Sequence, residues 1–354
     1  MATQLNITGN TENEFSISSN RNEKILKEIT KNQDKTSGTY KKSQGGTERM
    51  YQRLMSELPE DLKKDFQIIC SRVRDIDDSK IKILWHHDTW DDPENTHLRE
   101  EKSRKRFDKQ VFVSNHQLQT FNIGLGVPYS EGIVIKNAID PIDSALISKP
   151  DPKNEIRLIY HTTPHRGLEL LIPCFLWLCE RHENLHLDVF SSFEIYGWGH
   201  RDEQYQKVIE TCKEHPNITY HGFQPHDKII EALCKAHIFA FPSIWPETSC
   251  IALLEAMSSN CITVCPNLAA LPETAANFAT MYQWTENPQD HANRFATIMS
   301  GVIDGLRKDY NAWQPQLGVQ KNYFDNFYGW NNRAAEWKIF LQGIREDKKS
   351  KEKS

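Results

Sequence analysis

Short apolar runs alternate with amphipathic stretches along most of this chain. Runs at 66–70, 81–85, 110–114 and 132–135 read as strands, with helical patterns such as 48–58 between polar segments. A second series follows at 156–160, 185–190 with 193–196, 218–220, 238–241 and 261–264. Strands separated by helical stretches require crossover connections, so the pattern predicts parallel sheets of the α/β class. Between the series, the segment DPIDSALISKPDPKN at 140–154 carries three prolines and little periodicity, which predicts a domain boundary there. No repeat at a fixed short period is visible.

The two ends break this alternation. Residues 1–50 hold eleven Ala, Val, Ile, Leu, Met, Phe, Trp, Tyr or Cys residues, whereas the whole chain is 38% of these types. The first forty residues are therefore expected to lie outside a core and to be poorly ordered. At the other end REDKKSKEKS packs eight charges into ten residues, which predicts a solvated, frayed helix end. The 354-residue length fits two domains, at roughly 100 to 200 residues each. The expected division is a polar segment at 1–40, a domain at 41–145, a second at 146–325, C-terminal helices at 326–344 and a charged tail at 345–354.

Charge narrows the classes of partner. With 43 Lys plus Arg against 48 Asp plus Glu, the formal net charge is −5, which argues against strong nonspecific attraction to nucleic acid or anionic lipid. The basic stretch 99–109 has six positive and three negative residues and reads as a solvated helix face. Eight cysteines without a CxxC pair suggest buried free thiols in a reducing compartment. No apolar run approaches the roughly 20 residues of a membrane span, and the N-terminus has no secretory pattern. A cytoplasmic protein is the expectation; Asn6 and Asn217, in acceptor-like tripeptides, are then incidental.

Candidate chemistry is densest at 236–266, AHIFAFPSIWPETSCIALLEAMSSNCITVCP. A buried strand leads into a loop constrained by Pro242 and Pro246, and Thr248 or Ser249 is placed to cap a helix beginning near 249. Glu247 then stands just outside a helix N-terminus, and Glu255 lies about two turns along. The cap region offers unpaired N–H groups and a partial positive charge that suit a phosphate. A second cluster, IRLIYHTTPHRGLELLIPCF, places Arg166 between a strand and a helix, where its fork can grip phosphate oxygens.

The order strand, FPS loop, Glu, apolar helix, strand resembles the C-terminal signature of the retaining GT-B glycosyltransferases, specifically glycosyltransferase family 4 (glycosyl transferases group 1). The resemblance spans most of 80–340 and implies two Rossmann-like domains facing a central cleft. It implies that Glu247 holds hydroxyls of a donor sugar, that Glu255 holds the nucleotide ribose, and that the amides of Thr248 and Ser249 lie near the phosphates or sugar. Arg166 matches the basic residue that neutralises the donor diphosphate. A second arginine common near Tyr160 is missing, and His161, Thr162 or Thr163 could partly substitute. FEIYGWGH, with Gly197 and Gly199, and YHGFQP, with Phe223, resemble base and phosphate loops.

Towards the N-terminus the likeness implies a Gly-Gly loop at Gly45 and Gly46 close to the donor phosphates. The apolar strand that precedes it in the family is replaced by polar residues at 33–42, so that strand is displaced or absent, or the loop is an ordinary turn. IKILWHHD aligns His87 with the histidine that faces the transferred sugar, a structural or metal-binding pair being the other reading. Asn137 shapes the crossing into the second domain. The resemblance thus implies retaining, metal-independent transfer from a UDP- or GDP-linked sugar to an acceptor hydroxyl by front-face displacement. His87, Arg166 and Glu247 would be the catalytic contacts, and no cofactor beyond the nucleotide-sugar donor is called for. Asp75 and Asp77 form a DxD that reads as a polar turn. The acceptor would be a saccharide, a lipid-linked or another hydroxyl. A modified nucleic-acid acceptor, a phosphorylase or epimerase in the same architecture, and a noncatalytic nucleotide-sugar scaffold are the competing readings.

Overall fold

The computed structural model describes residues 33–40 and 42–353. They form two compact units: one runs from Ile139 to Gly329, and the other combines the residues up to Ala138 with those from Trp330 onward. The chain changes unit at 138/139, just before the proline-rich segment in which the sequence predicts the boundary.

In the unit that contains the earlier residues, β1 (Phe66–Cys70), β2 (Ile81–His86), β3 (Lys109–Phe112) and β4 (Gly132–Val134) form a parallel sheet in that order. β1 is buried along its whole length, as a strand covered on both faces must be. Helix Gly46–Glu57 precedes it, with Met50 and Leu54 buried. Where an apolar first strand would precede the Gly-Gly loop, residues 33–40 instead make a turn closed by a single antiparallel bridge between Gln33 and Tyr40. Its Gly38 has φ of +75°, and a Cβ there would meet the Arg72 carbonyl oxygen at 2.5 Å. The expectation for residues 1–32 lies outside the described residues.

The C-terminal helix Trp330–Glu352 belongs to this unit too. Trp337 sets its ring edge-on to Trp85 at 4.8 Å. The charged tail differs from the frayed end expected of it: the helix continues through Glu352 because Arg345 bridges Asp61 and Asp65 (2.8 and 3.2 Å) and Lys348 reaches Asp108 (3.2 Å).

The second unit is built on six parallel strands: β5 (Ile156–Tyr160), β6 (Leu185–Val189), β7 (Ile218–Tyr220), β8 (Ile238–Ala240), β9 (Ile262–Pro266) and β10 (Thr280–Tyr282). Their order is β10-β9-β8-β5-β6-β7. The chain leaves β5 towards one edge through β6 and β7, returns, and leaves β8 towards the other. The strand order therefore reverses between β5 and β8, and at such a reversal adjacent loops diverge and open a crevice at the carboxyl ends of the strands.

Two details correct the sequence expectation. Residues 193–196 are a 3-10 turn rather than a strand: Ser192 Oγ accepts from the Glu194 amide (2.9 Å), Asp202 Oδ1 accepts from the Phe193 amide (2.8 Å), and Gly197 closes the turn in the left-handed region at φ +73°. β10 is an edge strand of three residues, too short to stand out as an apolar run.

Candidate functional site

The strand reversal brings together the loop after β5 and the loop after β8. Gly167, at φ +123°, makes this possible, because a Cβ there would meet the Pro242 carbonyl oxygen at 2.3 Å. Only a residue without a side chain allows that approach. Just before it, Arg166 Nη1 donates to Glu247 Oε1, with 22% of the arginine and 4% of the glutamate side chain exposed. Burial works against the Arg166 charge, but the Glu247 carboxylate and then Tyr196 outweigh it and hold its pKa above the ordinary arginine value. The Glu247 backbone is fixed as well: its carbonyl accepts from the Ala270 amide at 3.1 Å, and its own amide donates to the Trp245 carbonyl at 2.9 Å.

Helix Ile251–Ser258 follows, with Cys250 at its N-cap and no side-chain cap. Thr248 and Ser249, expected to cap it, are instead partly buried residues of the approach loop. Its cap is an extended cysteine, so the first-turn amides are left without the hydroxyl that would otherwise satisfy one of them. Glu255 lies one turn inside and is 4% exposed, not a solvated helix residue. Its Oε1 accepts from His226 Nε2 at 2.7 Å. His226 opens helix His226–Leu233, 29 residues earlier, a separation that carries no local signal.

The loops after β6 and β7 complete this side of the sheet. Tyr220 Oη donates to the Ser191 carbonyl at 2.7 Å and ties the two loops together. His165 stacks on Phe193 (5.1 Å) and meets the edge of Trp245 (4.8 Å), while Arg201 lies 4.7 Å over Phe193. Burial, then the charges of Arg166 and Arg201, pushes the His165 pKa down to about 3. Gly197 and Gly199 belong to this aromatic neighbourhood, and Phe223 is half-buried in the turn after β7. Thr163 Oγ1, His165 Nδ1 and Ser191 Oγ are buried without a protein partner. Buried polar atoms ordinarily bond something, so these are atoms a polar ligand or water can satisfy. Ser191, His165, Trp245 and His226 carry no local sequence signal as site residues, because each acts through a partner distant in sequence.

In the other unit, the loops after β1 and β2 meet through Ser71, whose Oγ accepts from the amides of His87 (2.9 Å) and Asp88 (3.3 Å). Asp88 pairs with Arg72 at 3.2 Å. His87 lies beside Trp85 (4.5 Å), and burial, then His86 and Arg72, pushes its pKa down to about 3. His86 is a core residue with no exposed surface; it stacks on Phe112 at 4.6 Å and bonds Gln110 Oε1 through Nε2 at 2.9 Å. Gly45 is the N-cap of helix Gly46–Glu57, and its amide donates to Ser43 Oγ at 3.1 Å. Glu48 in the first turn accepts from Ser43 Oγ (2.8 Å) and from the Tyr40 amide (3.2 Å), which fixes the Gly-Gly loop. Asp77 spends its carboxylate on the amide (3.0 Å) and hydroxyl of Ser79, as a turn residue does. Among the described residues no group of three or more His, Cys, Asp or Glu side chains is gathered as a metal site.

Residues 143–312 match the family Glycosyl transferases group 1. Curated relatives include the phosphatidylinositol N-acetylglucosaminyltransferase GPI3 subunit of Saccharomyces cerevisiae (strain YJM789), 28% identical over 157 residues, covering 42% of this chain and 33% of that protein. The gpi3 subunit of the same transferase from Schizosaccharomyces pombe is 22% identical over 188 residues, covering 49% of this chain and 40% of its own length. The aligned stretch thus spans well under half the length of these relatives. Among solved structures, a glycosyltransferase from Rickettsia africae superposes with a TM-score of 0.58 at 15% identity, covering 83% of this chain and 81% of its own. Anabaena HepE in complex with UDP and glucose gives 0.57 at 15% identity, with 74% and 72% covered. Residues 143–312 are thus similar to the glycosyl transferases group 1 family, and the fold is that of the GT-B glycosyltransferases.

Proposed function

We propose that the protein is a retaining glycosyltransferase that moves a sugar from a nucleotide diphosphate sugar to an acceptor hydroxyl. The observation that carries this reading is the meeting of Arg166 and Glu247 at the strand reversal between β5 and β8, a cation for the diphosphate beside a carboxylate for sugar hydroxyls. Arg166, the loop amides at Thr248 and Ser249 and the open helix end beyond them offset negative charge as the nucleotide departs. Glu255 takes the ribose, the loops at Gly197, Gly199 and Phe223 meet the base, and Gly45 and Gly46 give close backbone approach to the phosphates. His87, neutral across physiological pH, hydrogen-bonds the transferred sugar. On this reading the sugar is transferred by front-face displacement without a metal.

The likeness to phosphatidylinositol N-acetylglucosaminyltransferase subunits favours a UDP-linked N-acetylhexosamine donor and a lipid-linked acceptor. No described helix is long and apolar enough to cross a membrane, so on this reading such an acceptor is met at a surface. Eight free cysteines, seven of them buried, fit a cytoplasmic site of action. The test is a panel of UDP- and GDP-sugars scored by thermal stabilisation, since a ligand that binds only the folded state raises the unfolding midpoint. Selective stabilisation by one UDP-sugar, followed by its turnover with a lipid-linked hydroxyl acceptor, is expected. Equal indifference to every sugar nucleotide would overturn the assignment.

A further inference from the structure

Glu255 is a buried carboxylate whose Oε1 accepts from the Nε2–H of His226 at 2.7 Å, and the histidine side chain is itself 40% exposed. A glutamate carries three side-chain torsions, and ordering them costs free energy unless a partner fixes the group beforehand. An ionised carboxylate has about four lone-pair sites, so a histidine that fixes one oxygen does not use up the group as an acceptor. His226 reaches Glu255 from helix His226–Leu233, directly after the 221–225 turn, whereas Glu255 projects from helix Ile251–Ser258. The pair thus joins the turn after β7 to the helix after β8.

We infer that His226 is a positioning residue for nucleotide binding: its Nε2–H holds the Glu255 carboxylate in the orientation that accepts the ribose 2′- and 3′-hydroxyls, and so helps the site select ribonucleotides. This rests on the assignment of Glu255 to the ribose. A histidine that merely braced two helices would alter stability and affect all nucleotides alike. A histidine that aims the carboxylate affects only ligands with hydroxyls for the carboxylate to bind.

The test is calorimetric titration of the whole chain with UDP and GDP, continued with whichever binds more tightly and with its 2′,3′-dideoxy counterpart. His226→Leu should lose about tenfold in affinity for the ribonucleotide, the size of one well-made charge-assisted hydrogen bond. It should bind the dideoxy nucleotide as the parent does. His226→Gln, which keeps an N–H of similar reach, should recover most of the loss. Glu255→Gln should lose discrimination between the two ligands more completely than either. Urea midpoints identify any variant that fails to fold, and His226→Ser then replaces the leucine variant in the same comparison. Unchanged ribonucleotide affinity in His226→Leu alongside a defect in Glu255→Gln would overturn the role of His226 and leave the ribose assignment standing. Equal losses for both ligands in His226→Leu would reduce the pair to a structural brace. Full discrimination in Glu255→Gln, or binding of neither diphosphate, would overturn the ribose assignment and this inference with it.

Discussion

Arg166 and Glu247, 81 residues apart, are hydrogen-bonded partners at the mouth of the β5 and β8 loops. Each therefore supports the other's charge as well as any ligand. Removing Arg166 leaves the Glu247 carboxylate buried and uncompensated, which costs about 3 kcal/mol for a pair of this kind. Arg166→Ala should show that loss in urea denaturation, and Arg166→Ala with Glu247→Ala should recover part of it. In titrations the single variant should lose far more affinity for a nucleoside diphosphate than for the nucleoside. Additive destabilisation in the double variant would mean that the two side chains do not support one another.

His86 and His87 are adjacent yet occupy different surroundings. His86 sits against Phe112 and Phe121 and bonds Gln110. His86→Ala should therefore leave a cavity and an unpaired amide, at a cost of about 2 to 4 kcal/mol. His87→Ala should fold, retain donor affinity and lose turnover, as expected of a contact used mainly in the transition state. Normal turnover by folded His87→Ala would remove that residue from the reaction.

The sheet was legible in the sequence because parallel strands buried on both faces read as continuous apolar runs. Ile156–Tyr160 and Phe66–Cys70 coincide with the runs at 156–160 and 66–70. The 193–196 segment has the same apolar content but turns, because Ser192 and Asp202 offer its amides closer partners than a neighbouring strand does. Arg166 and Glu247 stood out because each lies beside a strand end or helix start that the local pattern marks, and Glu255 because it stands eight residues after Glu247 on the helix that follows. His226 and Trp245 did not, since their importance comes from contacts with Glu255 and His165 that only the folded chain creates. The helix cap was misplaced because Thr248 and Ser249 have good capping chemistry, whereas the helix begins two residues later, after Cys250.

Acid should destabilise the protein from just below neutrality. His86, His87 and His165 are pushed down from 6.5 to about 3, and His237 and His291 to about 4, each chiefly by burial. The folded state keeps these rings neutral while the unfolded chain protonates them, so stability is fully present above 6.5 and falls as pH drops towards 3. Each such group adds a slope of up to about 1.4 kcal/mol per pH unit inside its window. Urea midpoints measured from pH 8 to pH 4 should be level at first and then fall below about pH 6.5. A midpoint that stays level down to pH 4.5 would mean that these histidines are accessible to protons in the folded state.

Gly167 links the fold to the candidate site more directly than any charged residue. Its φ of +123° is unfavourable for an L side chain, and an added Cβ would press on the Pro242 carbonyl at 2.3 Å. Gly167→Ala should therefore combine backbone strain of about 1 to 3 kcal/mol with separation of the two loops that hold Arg166 and Glu247. Gly126→Ala is the matched comparison, because Gly126 also has positive φ, +71°, but a Cβ there meets nothing within 4 Å. Both variants should lose stability, and the Gly167 variant should lose more. Only the Gly167 variant should also lose affinity for a nucleoside diphosphate, without any change in charge at the site. If both variants lose stability equally and keep the same affinity, the Gly167–Pro242 approach does not set the position of Arg166.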